Sequence, residues 1–275
     1  MNGLKMDKQV SILKALVEGN SVRSTERMTD VHRDTILRLL VRVGERCQKI
    51  MDHEMKGFHS HFLEADEIWT YVGKKEGRLD EQEKENPDIG DQYVFVAIDA
   101  QSKLVPTFVV GKRDGKTALK FMRDLKSKLN GNGRIQLTTD GFKPYINAVE
   151  WTFGSDIDFA QQIKCYDSEN PGRGRYSPPR VSEVVSKKIS GNPDSVHIST
   201  SFVERQNLTM RMQMRRFTRL TNAFSKKLEN LKAAVALHFY HYNFMRVHRT
   251  LRVTPAMEAG ITNHIWTWKE LFGDS

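Results

Sequence analysis

The spacing of apolar residues switches repeatedly along the chain between the two-residue period of strands and the 3.6-residue period of helices. Three segments, Glu64–Val72, Tyr93–Asp99 and Leu104–Val110, are typical of strands, and the last two form a predicted hairpin. The elements predicted after them are helix Thr117–Leu129, strand Arg134–Thr139, helix Lys143–Trp151, strand Phe159–Tyr166 and helices Phe202–Phe217 and Ser225–Tyr242. This alternation predicts an α/β domain with a mixed sheet.

Two segments show neither period and are predicted to be loops. Gly73–Gly90 is acidic and contains glycine, which favours an exposed loop. Ser168–Asp194 is rich in Pro, Gly, Ser and basic residues, which favours mainly a mobile basic loop.

Three helical patterns precede the α/β region, at Gln9–Val17, Ser21–Arg27 and Arg33–Lys49. A short helix, a tight turn and a longer helix are typical of a helix-turn-helix that binds DNA. A small three-helix bundle for packing or dimerisation is the alternative. The predicted DNA contacts on the third helix are Arg33, Thr35, Arg38 and Arg42.

Charge indicates a polyanionic partner, because the formal net charge of the 275-residue chain is +9. Bases dominate residues 202–252, where Glu204 and Glu229 are the only acids. No apolar run approaches the roughly eighteen residues of a membrane-spanning helix. The two cysteines, Cys47 and Cys165, are too few for a disulfide framework or a cysteine-rich zinc site, so we expect a cytoplasmic protein.

Three acids stand at positions where they could converge. Asp66 lies mid-strand, Asp140 ends the fourth strand, and Glu204 lies one turn into a helix. If the first and fourth strands are neighbours and the helix packs across them, the carboxylates can bind divalent cations. Two such ions about 4 Å apart catalyse phosphodiester chemistry.

Each acid also has a simpler interpretation. Asp140 precedes a glycine and is typical of a turn. Ser201–Glu204 has the pattern of a capping box, so Glu204 can serve as a helix cap. Asp66 can belong to a charged edge strand. Asp99 is a competing acid, but its place in the hairpin predicts a turn residue.

Four segments in order carry a resemblance to a known family. Glu64–Trp69, Thr138–Gly141 and Phe202–Leu208 resemble the three acidic blocks of DDE transposases, and they look most like the insertion sequence 1 family. The segment Tyr242–Leu251 resembles the end of many such enzymes. The similarity spans Glu64–Gly260.

The resemblance implies an RNase H-like catalytic domain with Asp66 on the first strand, Asp140 after the fourth and Glu204 on a later helix. It also implies Mg²⁺ (or Mn²⁺), cleavage of double-stranded element ends, strand transfer into target DNA, and assembly as a dimer or larger. Arg211, seven residues after Glu204, could hold a phosphate, or it could belong to a solvated basic face. The predicted DNA contacts in this region are Arg205, Arg211 and Arg215.

The predicted organisation is a helix-turn-helix domain over residues 1–55, an RNase H-like domain over 60–260 and a tail over 261–275. The chain departs from the family in lacking a cysteine pair for the zinc finger of longer members, and in the long interval between Asp140 and Glu204. Three other hypotheses stay open: a DNA-binding regulator with a non-catalytic α/β domain, a nuclease that cuts without joining, and a transposase that has lost its element.

Overall fold

A computed structural model of the chain describes residues 4–131, 133–166, 181–218 and 221–273. Three helices come first, α1 (Met6–Val17), α2 (Val22–Thr29) and α3 (Arg33–Glu54). The later elements are β1 (Phe62–Val72), α4 (Glu81–Lys84), β2 (Gly90–Asp99), β3 (Thr107–Gly111), α5 (Gly115–Lys128), β4 (Ile135–Thr139), α6 (Pro144–Phe153), β5 (Ile157–Tyr166), β6 (Val181–Ser190), α7 (Ser201–Gln213), α8 (Leu228–Tyr240), α9 (Pro255–Glu258) and α10 (Trp268–Phe272).

The strands form one mixed sheet in the order β3-β2-β1-β4-β5-β6. β1 runs antiparallel to β2 and parallel to β4, and β4 runs parallel to β5. The two outer pairs, β2 with β3 and β5 with β6, are antiparallel. The first and fourth strands are therefore neighbours, as convergence of the acids requires. This mixed sheet and its helices confirm the predicted α/β fold, and the RNase H-like assignment stays a prediction.

Helices cover both faces of the sheet. Successive strand residues point to opposite sides, so each strand supplies side chains to both layers. On one face, Phe95 of β2 contacts Phe121 of α5 and Tyr145 of α6, with ring centroids 5.9 and 6.1 Å apart. On the other face, Phe108 of β3 stacks on Phe239 of α8 at 4.9 Å, and α7 contacts β1 and β2. The acidic side chains discussed below lie where α7 and α6 approach β1.

The N-terminal helices pack outside α7 and α8. A Cβ at Gly44 of α3 would lie 2.5 Å from the Cα of Ala233 in α8, so glycine permits close contact of the two helices. Gly19, in the turn between α1 and α2, has φ of +82°, and a Cβ there would lie 3.2 Å from the carbonyl oxygen of Met212 in α7. The apolar side chains of α1 and α3 join the same buried cluster as the sheet. The helix-turn-helix domain and its boundary near residue 55 stay predictions.

The predicted loop over Ser168–Asp194 is wrong for its described part, because Val181–Ser190 forms strand β6. Residues 167–180 lie outside the described part of the chain. β6 is an outer strand whose side chains are mostly exposed, so its sequence has no apolar period to mark it. Its backbone groups find partners on β5, a pairing that a local pattern does not reveal. Within the predicted loop Gly73–Gly90, the structure has α4 and one short turn of 3₁₀ helix, and Gly90 already begins β2.

Two expectations from composition can be compared with the structure. Cys47 is a buried free thiol and Cys165 is a half-buried one. Within the described ranges, no helix combines the length and the apolar character that crossing a bilayer requires.

Candidate active site

Asp66 and Asp140 are brought side by side by the pairing of β1 with β4. The parallel register ends at Ala65 opposite Thr139, so Asp66 and Asp140 are the next residues on the two strands. The edge-strand interpretation of Asp66 is wrong, because β1 lies between β2 and β4. Asp140 also forms a turn, because the backbone N–H of Phe142 donates to its Oδ1 at 3.0 Å. This turn does not prevent Asp140 from lying beside Asp66.

Glu67 is a third member of this carboxylate cluster, which we define as Asp66, Glu67 and Asp140. Carboxylate oxygens of the three lie within 4.8 Å of one another. Adjacent strand residues point to opposite faces, so a sequence pattern does not group Glu67 with Asp66. The pairing of β4 with β1 stops at Thr139, and the side chains of Asp66 and Glu67 both lie near Asp140.

One arginine and one tyrosine hold the Glu67 side of the cluster. Arg113, in the turn before α5, donates from Nε to Oε1 of Glu67 at 2.5 Å and lies 3.6 Å from Oδ2 of Asp140. Its guanidinium lies 4.1 Å from the ring centroid of Phe142. The buried hydroxyl of Tyr145 donates to the other oxygen of Glu67 at 3.0 Å. No local motif in the sequence marks Arg113 or Tyr145.

Asp66 has no such cationic partner among the described residues. Its Oδ2 accepts a hydrogen bond of 2.9 Å from the side-chain amide of Asn207 on α7. Burial, followed by repulsion from Asp140 and Glu67, raises the pKa of Asp66 to about 7. Burial also raises the pKa values of Asp140 and Glu67.

A divalent cation would relieve this repulsion. Hard ions such as Mg²⁺ and Mn²⁺ prefer carboxylate oxygens, and the cluster offers three carboxylates. Arg113 supplies positive charge to Glu67 and Asp140 but forms no ion pair with Asp66. The residues present therefore suit a divalent ion centred on Asp66 and Asp140.

Glu204 lies near the cluster, but its carboxylate contacts other residues. The Nζ of Lys164 on β5 lies 2.5 Å from both oxygens of Glu204, and the hydroxyl of Thr200 donates to Oε1 at 2.7 Å. Its negative charge nevertheless contributes to raising the pKa values of Asp66 and Asp140. Sequence reasoning did not identify the Lys164–Glu204 ion pair, since the two residues lie on elements that meet only in the fold.

Helix α7, which carries Glu204, is capped by an acid from β1. The backbone N–H groups of Phe202 and Val203 donate to Oε2 of Glu64 at 2.7 and 3.0 Å. The predicted capping box is wrong, because the helix starts after Thr200 and no side chain of its own forms the cap. Glu64 is buried and stands two residues before Asp66, on the same face of β1. One strand thus contacts both the start of α7 and, through Asp66, its second turn.

The predicted DNA contacts lie on two surfaces. On α3, Arg38 and Arg42 are exposed, Arg38 donates to the hydroxyl of Thr35 at 3.2 Å, and Arg42 donates to Gln9 of α1 at 2.6 Å. Arg33 begins the same helix and is exposed. The second set lies on or just after α7: Arg205, Arg211 and Arg215.

Comparison with known families gives one match. Residues 89–169 match the model of a DDE domain, in a transposase family of the insertion sequence 240 type. The matched range is under a third of the chain and includes Asp140, but neither Asp66 nor Glu204. It agrees with the predicted DDE assignment without confirming the insertion sequence 1 family. No curated protein matches the chain.

Similar solved structures are distant in sequence. A Mos1 strand transfer complex is 13% identical over 58% of this chain and 59% of its own, with a TM-score of 0.25. A synaptic complex of piggyBac transposase with hairpin DNA is 11% identical over 98% of this chain and 71% of its own, with a TM-score of 0.39. A pre-cleavage Mos1 transpososome is 10% identical over 57% of this chain and 60% of its own, with a TM-score of 0.24. The chain thus spans about three fifths of the Mos1 chains.

Proposed function

We propose that the chain is a DDE transposase, which cleaves DNA at the ends of an insertion sequence and joins the freed ends to target DNA. The observation that carries this proposal is the juxtaposition of Asp66 and Asp140 at the point where parallel strands β1 and β4 stop pairing. The match of residues 89–169 to a DDE domain supports it.

In this proposal, Asp66 and Asp140 would hold divalent ions, and Glu204 would complete the set of ligands. Bound Mg²⁺ or Mn²⁺ would supply Lewis acidity for activating a water or a 3′ hydroxyl and for stabilising the leaving oxygen. Asn207 orients Asp66 through its hydrogen bond, and Arg113 holds Glu67 and Asp140 in place.

Glu204 can act in this way only when its carboxylate leaves the ammonium group of Lys164. Lys164 neutralises Glu204 beside a cluster that already carries three acids. Its ammonium group, once released, stays near the reaction centre and can attract a phosphate oxygen of DNA.

The partner in this proposal is double-stranded DNA, which suits the net charge of +9. Helices α2 and α3 form the helix-turn-helix, with Arg33, Thr35, Arg38 and Arg42 toward DNA. Two element ends must be held together, so we expect a dimer or a larger assembly, which light scattering in the presence of DNA would detect.

The test is an assay with DNA that includes the sequences flanking the coding region, with and without Mg²⁺. Wild type should nick this DNA and join the ends only with Mg²⁺, and Asp66→Asn and Asp140→Asn should each abolish both products. Asp156→Asn is the matched control, because Asp156 is an exposed acid outside the cluster. Full activity in the first two variants would refute the assignment, and cleavage without joining would favour a nuclease.

A further inference from the structure

A cavity of about 990 Å³ lies between the N-terminal helices and the chain that follows α7. Its walls come from the α1–α2 turn, the first turns of α2 and α3, the described residues of 214–226, and α8. No member of the carboxylate cluster lines it. The walls therefore come from segments that are distant in sequence.

The charge on these walls is strongly positive. Asp34 is the only carboxylate among the described lining residues, and its Oδ2 lies 3.5 Å from the Nδ1 of His32, which accepts a hydrogen bond from the backbone N–H of Asp34. None of the lining bases forms an ion pair with a described residue. These bases are Arg23, Arg33, Arg215, Arg216 and Lys226.

Arg216 is the base whose position is hardest to explain without an anion. Its side chain is half-buried, and its hydrogen bond among the described residues goes to a neutral group, the hydroxyl of Ser225, at 2.7 Å. Burial lowers the pKa of Arg216 to about 10. It is costly to remove a cation from water without a counter-charge, and no described residue supplies one to Arg216, so a negative group would complete the site.

Two unpartnered polar atoms on the same walls point to a ligand independently. The Nε2 of His238 and the Oδ1 of Asn230 are buried without a hydrogen-bond partner, in side chains that are 2% and 8% exposed. Burial lowers the pKa of His238 to about 3, so its ring is neutral and one ring nitrogen can donate a hydrogen bond. Buried polar groups are normally paired. An anionic group in the cavity could accept a hydrogen bond from the ring of His238, whereas the Oδ1 of Asn230 is itself an acceptor and needs a donor such as water.

We infer that this cavity binds a phosphate group of the DNA backbone, held by the guanidinium of Arg216 and by the exposed bases at the cavity mouth. The choice of DNA as the source of the phosphate rests on the proposed function. Arginine suits this role because its planar fork can donate two parallel hydrogen bonds to phosphate oxygens. Arg33 and Arg215, predicted as DNA contacts on separate grounds, line the same cavity. A strand bound there would bridge the start of α3 and the end of α7, the helix that carries Glu204.

The test uses the full chain in chelator, so that catalysis plays no part. Wild type, Arg216→Met and Arg215→Gln are compared for binding of a short DNA duplex by fluorescence anisotropy across salt concentrations. Arg123→Met is the matched control, an exposed arginine on α5 outside the cavity. Thermal unfolding of the same proteins is followed in inorganic phosphate and in chloride of equal ionic strength.

Arg216→Met should weaken DNA binding about ten-fold and reduce the salt slope by about one. Arg216→Met should also raise the thermal unfolding midpoint in chloride, because the uncompensated guanidinium is gone. For the same reason, phosphate should no longer raise the midpoint above its value in chloride, as it should for wild type. Arg215→Gln should weaken DNA binding less, and Arg123→Met should match wild type.

Equal DNA binding by wild type, Arg216→Met and Arg215→Gln would overturn the inference, as would a lower midpoint for Arg216→Met with unchanged DNA affinity. Stabilisation of wild type by phosphate without any DNA binding would assign the site to a free phosphate ligand and overturn DNA as its source. Failure of the proposed function would give a different result. Wild type would then bind DNA in a way that depends on Arg216 but would not cleave it when metal is added.

Discussion

Replacing Gly44 with alanine tests the contact that joins the N-terminal helices to the rest of the protein. In an exposed helix, Gly→Ala stabilises by about 1 kcal/mol, because glycine loses more backbone entropy on folding. At Gly44 the new Cβ would lie 2.5, 2.6 and 2.6 Å from the Cα, Cβ and carbonyl oxygen of Ala233. Carbon atoms prefer about 3.5–4.0 Å, so α3 and α8 would have to separate by about 1 Å.

The clash should outweigh the gain in helix propensity. Overpacking a core costs about 1–3 kcal/mol, and the upper end applies because two of the three close atoms are backbone atoms that no rotamer change can move. Subtracting about 1 kcal/mol for propensity leaves a net loss of about 2 kcal/mol. Urea unfolding followed by circular dichroism would measure this, and the thermal midpoint should fall by about 4–8 °C.

Two variants control for other causes. Gly115→Ala, at the start of α5, places its Cβ no closer than 4.0 Å to Pro144 and should change stability by less than about 0.5 kcal/mol. Ala233→Gly combined with Gly44→Ala should not restore stability, since it removes only one of the three close atoms. A Gly44→Ala protein as stable as wild type, or more stable, would refute the reasoning and the close packing of α3 on α8.

Three further predictions concern the acidic side chains. Glu64→Ala should destabilise the protein by about 2–4 kcal/mol in urea unfolding, because two N–H groups at the start of α7 lose their acceptor, and Glu64→Gln should lose far less. Lys164→Met should strengthen Mn²⁺ binding several-fold in calorimetric titration, because Glu204 loses its competing cation. Asp66→Asn should stabilise the metal-free protein, more at about pH 8 than at about pH 5.

The sign of the last prediction follows from the direction of the pKa shift. The pKa of Asp66 rises from 3.8 to about 7 on folding, so the stability that the protonated group contributes is fully present below 3.8 and is lost as the pH rises through about 7. A gain from Asp66→Asn that did not grow with pH would contradict this. Unchanged Mn²⁺ affinity in Lys164→Met would mean that the ion pair does not compete with metal. Equal losses in Glu64→Ala and Glu64→Gln would point to packing rather than capping.

Local patterns in the sequence predicted much of the secondary structure. Apolar periods marked β1 to β5 and the major helices within a few residues, because each of these elements buries one side or both. They missed β6, which is exposed and takes its backbone partners from β5. The three acidic blocks also placed Asp66 on the first strand, Asp140 after the fourth and Glu204 on a later helix.

Sequence by itself thus determined that Asp66 lies within a strand, that Asp140 follows one and that Glu204 lies on a helix, since strand and helix periods are local properties of the chain. Only the tertiary structure decided what those acids touch. Glu67 lies beside Asp66 and Asp140 where the pairing of β1 with β4 ends. Lys164 of β5 forms an ion pair with Glu204 of α7. The half-buried Arg216 and the cavity that it lines likewise arise where segments far apart in sequence meet. Such contacts depend on the distances between packed elements, and no periodicity along the chain records those distances.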